Sequence, residues 1–428
     1  MIVNDLGLTF DKTKGLSLLL YHLFLLAYRA GIRLASPWNP KAKAWLKGRQ
    51  EFPPVSYQEK TIWMHCSSLG EFEQGRPVLE ALRKQFPGYR CVLSFFSPSG
   101  YEVRKNYAGA DQVIYLPIDS PANARKLVNG INPALVIWVK YEYWYYYLNE
   151  LHKRRVPVLL VSGIFRPSQP FFKNYGALWR HMLSCFRHLF LQNEDSLELL
   201  DNISMADHAS LAGDTRFDRV TDIASAFEPV PHIDEFVSGH RVIVAGSTWE
   251  EDEEELIHYV RKHPEIRFII APHEVDEDRL TDIRKQFNDV LYYSGLSAGM
   301  IIPKGIHVLI IDNIGMLNRL YRYADITYVG GGFGDDGIHN VLEAAVFGKP
   351  VVFGPVYEKF QEARGLVAAG GAYSVKQALE LETLLDSFWQ DENKLKVSGE
   401  KAREYVYSNR GATEKILSYV KENRLLIN

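Results

Sequence analysis

Short apolar runs recur along this chain, each closed by small or polar residues and followed by a stretch of helical spacing. "TIWMHCSS" (61–68), "RCVLSFFS", "QVIYLP", "ALVIWV" and "PVLLVSG" form a first series. Runs this short and this apolar have no wet face. They require a parallel sheet with helices on both sides. The pattern breaks at "FEPVPHIDEFVSGH" (227–240), which holds prolines and a glycine, and then restarts. The second series is "RVIVAGST" (241–248), "IRFIIAP" (266–272), "VLYY", "IHVLIID" (306–312), "DITYVGG" and "PVVFGP". The expected fold class is therefore α/β, with two doubly wound Rossmann-like domains at 51–226 and 241–428 and a linker at 227–240. A chain of 428 residues is long enough for two cores. The tail from Glu392 is helical by spacing, and a return of the last helix to the first domain is left open. In such sheets ligands bind beyond the carboxyl ends of the strands and at domain interfaces.

Composition removes some classes. A formal net charge of −3 argues against nucleic acid as a partner. Cys66, Cys91 and Cys185 lie far apart with no CxxC pair, so neither a disulfide framework nor a metal site is expected, and a reducing compartment fits.

Residues 1–50 stand apart. "GLSLLLYHLFLLAY" (15–28) is uncharged and, as a helix, roughly 21 Å long, short of a ~30 Å hydrocarbon core. No small-residue cleavage site follows it. From Arg29 to Gln50 come Arg29, Arg33, Lys41, Lys43, Lys47 and Arg49 with no acid, and Trp38 and Trp45 among them. An apolar helix beside a basic, Trp-bearing segment suits a monotopic anchor on an anionic membrane surface. A buried core helix with a solvated basic loop is the plainer reading.

Chemistry concentrates at strand ends. In "YVGGGFGDDGIHNVLEAAVFGKPVVFGP" (328–355), Gly330, Gly331, Gly332 and Gly334 would let backbone N–H groups approach a ligand ahead of a helix N-terminus that favours an anion. Asn340 and Glu343 share one face of that first turn, where a carboxylate suits ribose hydroxyls. Asp335 and Asp336 should face solvent. A tight strand–helix turn alone could also require the glycines. In "HCSSLGEFEQGRP" (65–77), Glu71 opens a helix, either as a base kept ionised by the dipole or as an ordinary capping acid, with Glu73 as its rival. Glu142 follows "ALVIWV", Arg216 and Asp218 precede the linker, and His273 follows Pro272 at another strand end. Ser247 and Thr248 end "RVIVAGST" and read by default as N-caps. The run Glu250–Glu255 reads as a solvated helix face.

Taken in order, "SSLGE", "SPSGYE", "EYW", "GDTRFD", "GSTWEEDEE" and "GGGFGDDGIHNVLEAA…FGP" resemble the 3-deoxy-D-manno-octulosonic acid (Kdo) transferases of lipopolysaccharide assembly. The resemblance implies the GT-B architecture, two Rossmann-like domains facing a central cleft. It implies inverting transfer of Kdo from CMP-Kdo onto a lipid A precursor, at the cytoplasmic face of the bacterial inner membrane, with no cofactor and no metal. It makes Glu71 the general base, with Glu142 and Arg216 as further catalytic residues. Asn340 and Glu343 would hold the CMP ribose. Ser247, Thr248, Pro272, His273, Ile314, Gly315, Met316 and Gly332 complete the expected nucleotide site. The chain departs from the family in several places. The family's arginine before His273 is missing, Met316 and Lys140 stand for acids, Arg216 for a lysine, and Lys359 for an asparagine. Two other classes remain open: a nucleotide-sugar 2-epimerase of the same architecture, and a non-catalytic, membrane-tethered nucleotide-binding module.

Overall fold

A computed structural model describes residues 12–287, 289–303 and 305–427. The chain divides into two compact units, Met1–Arg219 with Gly411–Asn428, and Val220–Arg410. The first unit holds β1 (Thr61–Cys66), β2 (Arg90–Phe95), β3 (Gln112–Tyr115), β4 (Pro133–Val139), β5 (Val158–Gly163), β6 (His188–Leu191) and β7 (Ala209–Leu211), in the order β3-β2-β1-β4-β5-β6-β7. The second holds β8 (Arg241–Thr248), β9 (Ile266–Pro272), β10 (Val290–Tyr292), β11 (Val308–Ile310), β12 (Ile326–Val329), β13 (Val351–Phe353) and β14 (Ala372–Ser374), in the order β10-β11-β9-β8-β12-β13-β14. Every pairing is parallel. The strand order reverses between β1 and β4 in one sheet and between β8 and β12 in the other. These are the switch points where a doubly wound sheet leaves room for a ligand.

β1 shows why these segments are strands. All six of its residues are buried. Ile62, Met64 and Cys66 join a core with Val78, Leu79 and Leu82 of the following helix, while Trp63 joins the opposite core with Trp138 and Tyr147. Residues of one strand thus fill two cores at period two.

The C-terminal helix Ala412–Glu422 belongs to the first unit, where Ala412, Ile416 and Val420 enter its core. Asp218 receives the N–H groups of Gly411 and Thr413 at that helix's start. The segment expected as a linker falls inside the second unit instead. It carries a short helix, Ile233–Val237, with Ile233 and Phe236 buried, and Val230 donates its N–H to the Tyr323 hydroxyl. Prolines there shape a packed connection rather than a free one.

Of the expected membrane segment, residues 1–11 lie outside the described residues. The remainder is longer than the apolar run suggests: one helix, Lys12–Ala35, of 24 residues, roughly 36 Å. Its length and composition would allow it to cross a membrane. One face, with Leu18, Tyr21, Leu25 and Ile32, packs on the first unit's core. Tyr21 donates to Asp119 Oδ2 at 2.6 Å, and Asp119 also takes the N–H groups of Tyr146 and Tyr147. Tyr146 and His22 are hydrogen-bonded. The other face leaves Leu16, Leu19, Leu20, Leu23, Phe24 and Leu26 more than half exposed. The helix is thus pinned by part-buried polar bonds on one side and bare and apolar on the other, which fits membrane association. The basic segment divides. Arg29, Arg33, Lys41, Lys43, Lys47 and Trp38 are exposed, but Trp45 is core. Arg49 stacks on Trp45 and donates to the carbonyls of Leu116 and Phe96. Those two residues hold the helix's seat and are not available to lipid.

Candidate active site

In the first unit the switch point gathers the ends of β1 and β4. Ser67 follows β1, Ser68 caps the helix Leu69–Gln85, and Glu71 stands in its first turn. The Glu71 carboxylate turns back onto the Ser67 N–H. The capping arrangement is therefore present, but the dipole does not keep this acid strongly ionised. Burial raises its pKa from 4.5 to about 7, with Glu142 adding to the rise and the Ser67 N–H opposing it. The expectation of a fully ionised carboxylate is corrected: near neutrality the group divides between its two forms. Glu73, in the same turn, is taken up by Arg104 at 2.7 Å and Arg76 at 3.8 Å.

Glu142 is fixed from three sides. Ser67 Oγ donates to its Oε1 at 2.7 Å, and Trp144 Nε1 donates to its Oε2 at 2.9 Å. His65 Nε2 lies 3.1 Å from the same Oε2. An ionised carboxylate only accepts, so His65 donates there and presents Nδ1 to the Ser94 hydroxyl 2.9 Å away, which itself receives Trp63 Nε1–H. Ser67 thus joins the two acids, by its N–H to Glu71 and by its hydroxyl to Glu142. Lys140, at the end of β4, takes a left-handed conformation (φ 56°) that costs a non-glycine residue energy, and its charge favours the Glu71 carboxylate. Arg216 is less available than expected: its Nε and Nη2 fork onto Asp214 Oδ2 at 2.9 and 2.7 Å. Burial would push the Asp214 carboxyl up, but Arg216 holds it below its ordinary value.

The second unit's switch point is built around Asp252. Its Oδ2 accepts the N–H groups of Gly331 at 2.7 Å and Trp249 at 2.9 Å, and its Oδ1 the Tyr328 hydroxyl at 2.8 Å. Glu253 takes the Thr248 hydroxyl at 2.7 Å and pairs with Arg279 at 2.7 Å. The acidic run is a solvated face only in part: Glu250, Glu251 and Glu254 are exposed, but Asp252 and Glu253 are fully buried and tie β8 to the glycine turn. Thr248 is not an N-cap, since Trp249 holds that place, and Ser247 is left-handed at φ 55°.

The glycines have a packing reason. A Cβ at Gly330 would meet the Ser247 carbonyl at 2.4 Å, and one at Gly332 would meet the Gly354 N at 2.5 Å. They let the exits of β8, β12 and β13 pass backbone against backbone. The expected helix after them is a single turn, Leu342–Ala345, so no extended dipole faces an anion. Val341 is its N-cap; Asn340 Oδ1 accepts the Leu342 N–H, and the Asn340 amide donates to Glu343 Oε1 at 3.0 Å. Asp335 and Asp336 are exposed.

His273, just after Pro272, stacks between Trp249 and His339 at 4.6 and 4.4 Å. His339 Nε2 accepts from Trp249 Nε1 at 3.0 Å, and burial, then His273, pushes its pKa down to about 4. This stack of flat rings beside Gly331 was not foreseen; "STW" and "IHN" were its only traces. Ile314 projects into solvent at 87% exposure, Gly315 is left-handed at φ 102°, and Met316 turns inward. Among the described residues no three His, Cys, Asp or Glu side chains are grouped to hold a metal ion.

Residues 44–219 match the family model of the 3-deoxy-D-manno-octulosonic-acid transferase (kdotransferase). A bifunctional glycosyltransferase/methyltransferase of Fusobacterium nucleatum is 26% identical over a match covering 94% of this chain, which spans 62% of that relative's length. The 3-deoxy-D-manno-octulosonic acid transferases of Haemophilus influenzae and Aquifex aeolicus are 24% and 25% identical, the matches covering 84% and 82% of this chain and 86% and 93% of theirs. UDP-GlcNAc 2-epimerase from Neisseria meningitidis superposes with a TM-score of 0.59 at 16% identity, covering 85% of this chain and 100% of its own. The MurG protein of Acinetobacter baumannii gives 0.53 at 14%, with the same two coverages. The fold is thus the two-Rossmann, GT-B class, and the sequence relatives make the chain a glycosyltransferase within it. Its first unit matches the Kdo transferase family model, and curated Kdo transferases are similar to it over most of its length.

Proposed function

We propose that the chain transfers Kdo from CMP-Kdo to a lipid A precursor, with inversion, at the cytoplasmic face of the bacterial inner membrane. The observation that carries this reading is Glu71: a buried acid at the switch point of the first sheet, with a pKa of about 7. A general base works best when its pKa lies near the working pH. In the proposed reaction the acceptor hydroxyl oxygen attacks the anomeric carbon and its proton passes to Glu71. The bond from that carbon to the CMP phosphate breaks, and CMP leaves with the electron pair. Ser67 and Glu142 keep Glu71 in place, and Lys140 and Arg216 supply positive charge for the donor's carboxylate or the departing phosphate. We assign no metal to the reaction, so a chelator should leave turnover unchanged. In the second unit, Asn340 and Glu343 would take the ribose, with Ser247, Pro272, His273 and the turn at Gly332 around the nucleotide.

Two expected results belong here. Glu343→Ala should weaken CMP binding by about 1.5–3 kcal/mol, the worth of a charge-assisted hydrogen bond, while the fold survives. Unaltered affinity in calorimetry would remove Glu343 from the site. Replacing the exposed Leu19, Leu23 and Leu26 by glutamine leaves the docked face intact. It should release the protein from anionic vesicles, and persistent co-sedimentation would argue against a membrane-lying helix.

The deciding assay supplies CMP-Kdo and lipid A precursor and weighs the lipid product. UDP-GlcNAc given alone and converted to its epimer would favour the isomerase reading. CMP binding without any turnover would favour a nucleotide-binding module.

A further inference from the structure

A cavity of about 550 Å³ opens in the first unit between the N-terminal helix and the body of the unit. Leu20 and Phe24 of the helix line it together with Phe171, Trp179 and Met182 of the body, and Glu142 and Trp144 are part of the same lining. Its size and apolar, aromatic lining are those of a ligand pocket. Phe171 and Met182 are almost fully buried, so this is a recess and not a flat surface. Leu20 and Phe24 in the lining are more than half exposed and belong to the helix face where Leu16, Leu19 and Leu23 stand bare. Glu142 in the lining is the acid hydrogen-bonded to Ser67, which also holds Glu71.

These positions select one kind of occupant. A water-soluble substrate has no use for an apolar passage walled by a membrane-facing helix. A detached hydrophobic molecule would not require a hydrogen-bonded carboxylate in the lining. An amphiphile with a chain in the lipid layer and a hydroxyl to be modified matches both features.

Resting on the proposed acceptor, we propose that this cavity receives one acyl chain of the lipid and thereby sets which acylated acceptors are used. The bound chain orients the acceptor so that its hydroxyl lies on the Glu142–Ser67–Glu71 side. Phe24 and Leu20 then govern how long a chain fits.

The test uses the full-length protein and Leu20→Trp, which fills the cavity from its exposed wall without altering the buried one. Leu23→Trp, equally exposed but outside the cavity, is the matched control. Binding is followed by quenching of tryptophan fluorescence with a lysophosphatidylcholine carrying a brominated acyl chain, below its micelle concentration. Trp144 and Trp179 in the cavity wall report on it. Saturable quenching is expected in the native protein and in Leu23→Trp. Leu20→Trp should weaken it by about tenfold or more, since losing the burial of two methylenes is worth that factor. In turnover, Leu20→Trp should reduce the preference for acylated over deacylated acceptor by a similar factor and leave the deacylated rate unchanged. Phe24→Ala should shift the preference toward longer chains. Non-saturating quenching, or equal behaviour of the two tryptophan variants, would overturn the proposal. If the assigned reaction itself is wrong, neither acceptor turns over in the native protein, whereas the quenching result still reads the cavity.

Discussion

Glu71→Gln should lower single-turnover transfer by roughly 10²–10⁴-fold, the usual worth of a general base. Glutamine keeps the size of the side chain and an oxygen for the Ser67 N–H, so CMP binding should be unchanged. Glu73→Gln should be mild, because Glu73 is spent on Arg104 and Arg76. In the native protein the rate should fall about tenfold per pH unit below the Glu71 pKa of about 7, as the base becomes protonated. A second readout separates a base from a mere capping acid. The folded pKa lies above the ordinary 4.5, so between those values the folded state holds a proton that the unfolded chain has released. Stability from this group is thus present below about pH 4.5 and is lost as pH rises through about 7. Glu71→Gln removes that loss and should stabilise the protein at pH 8, by a few kcal/mol at most, while adding little at pH 4. Near-normal turnover with intact CMP binding would place the base elsewhere.

Asp252→Ala should cost about 3–5 kcal/mol of stability in the second unit. It strands the N–H groups of Gly331 and Trp249 and the Tyr328 hydroxyl, each a buried donor worth about 1–3 kcal/mol when unpaired, with some relaxation. The Gly331 amide should lose hydrogen-exchange protection before its neighbours in β12. Retained protection, with an unchanged urea midpoint, would mean that another acceptor replaces the carboxylate. Because Asp252 is structural, its loss should disturb nucleotide binding and fold together, unlike Glu343→Ala.

The fold was legible wherever a strand was buried on both faces. β1, β4, β8 and β9 have continuous apolar runs that no helix or wet strand explains. β6, β7 and β14 were missed. "HLFL", "ASL" and "AYS" are too short to show a period, and β7 and β14 are edge strands that need only one neighbour. The site was legible in part. Glu71, Glu142 and Arg216 came from motif order, and local spacing could not separate a base from a cap. Asp252 and Glu253 were hidden because a run of acids reads as solvated unless the donors that reach them are known. The glycines were seen for the approach they give a ligand or a tight turn; their contact with neighbouring backbone is a tertiary fact absent from any local window. The helix after them ends after one turn, which no spacing rule could have placed.

The return of the Ala412–Glu422 helix to the first unit has a consequence for biosynthesis. On the ribosome the first sheet is complete by Leu211, but the seats of Ile416 and Val420 stay empty until all of Val220–Arg410 has been made. At common rates of synthesis that delay is on the order of 10–40 s. Throughout it the nascent first unit shows an apolar strip beside Phe190 and Ala212, in the core opposite the one that seats the bare N-terminal helix. Such a chain presents two sticky surfaces during its making and one afterwards. Only the late-filled one is closed by folding itself, which suits it to a holding chaperone.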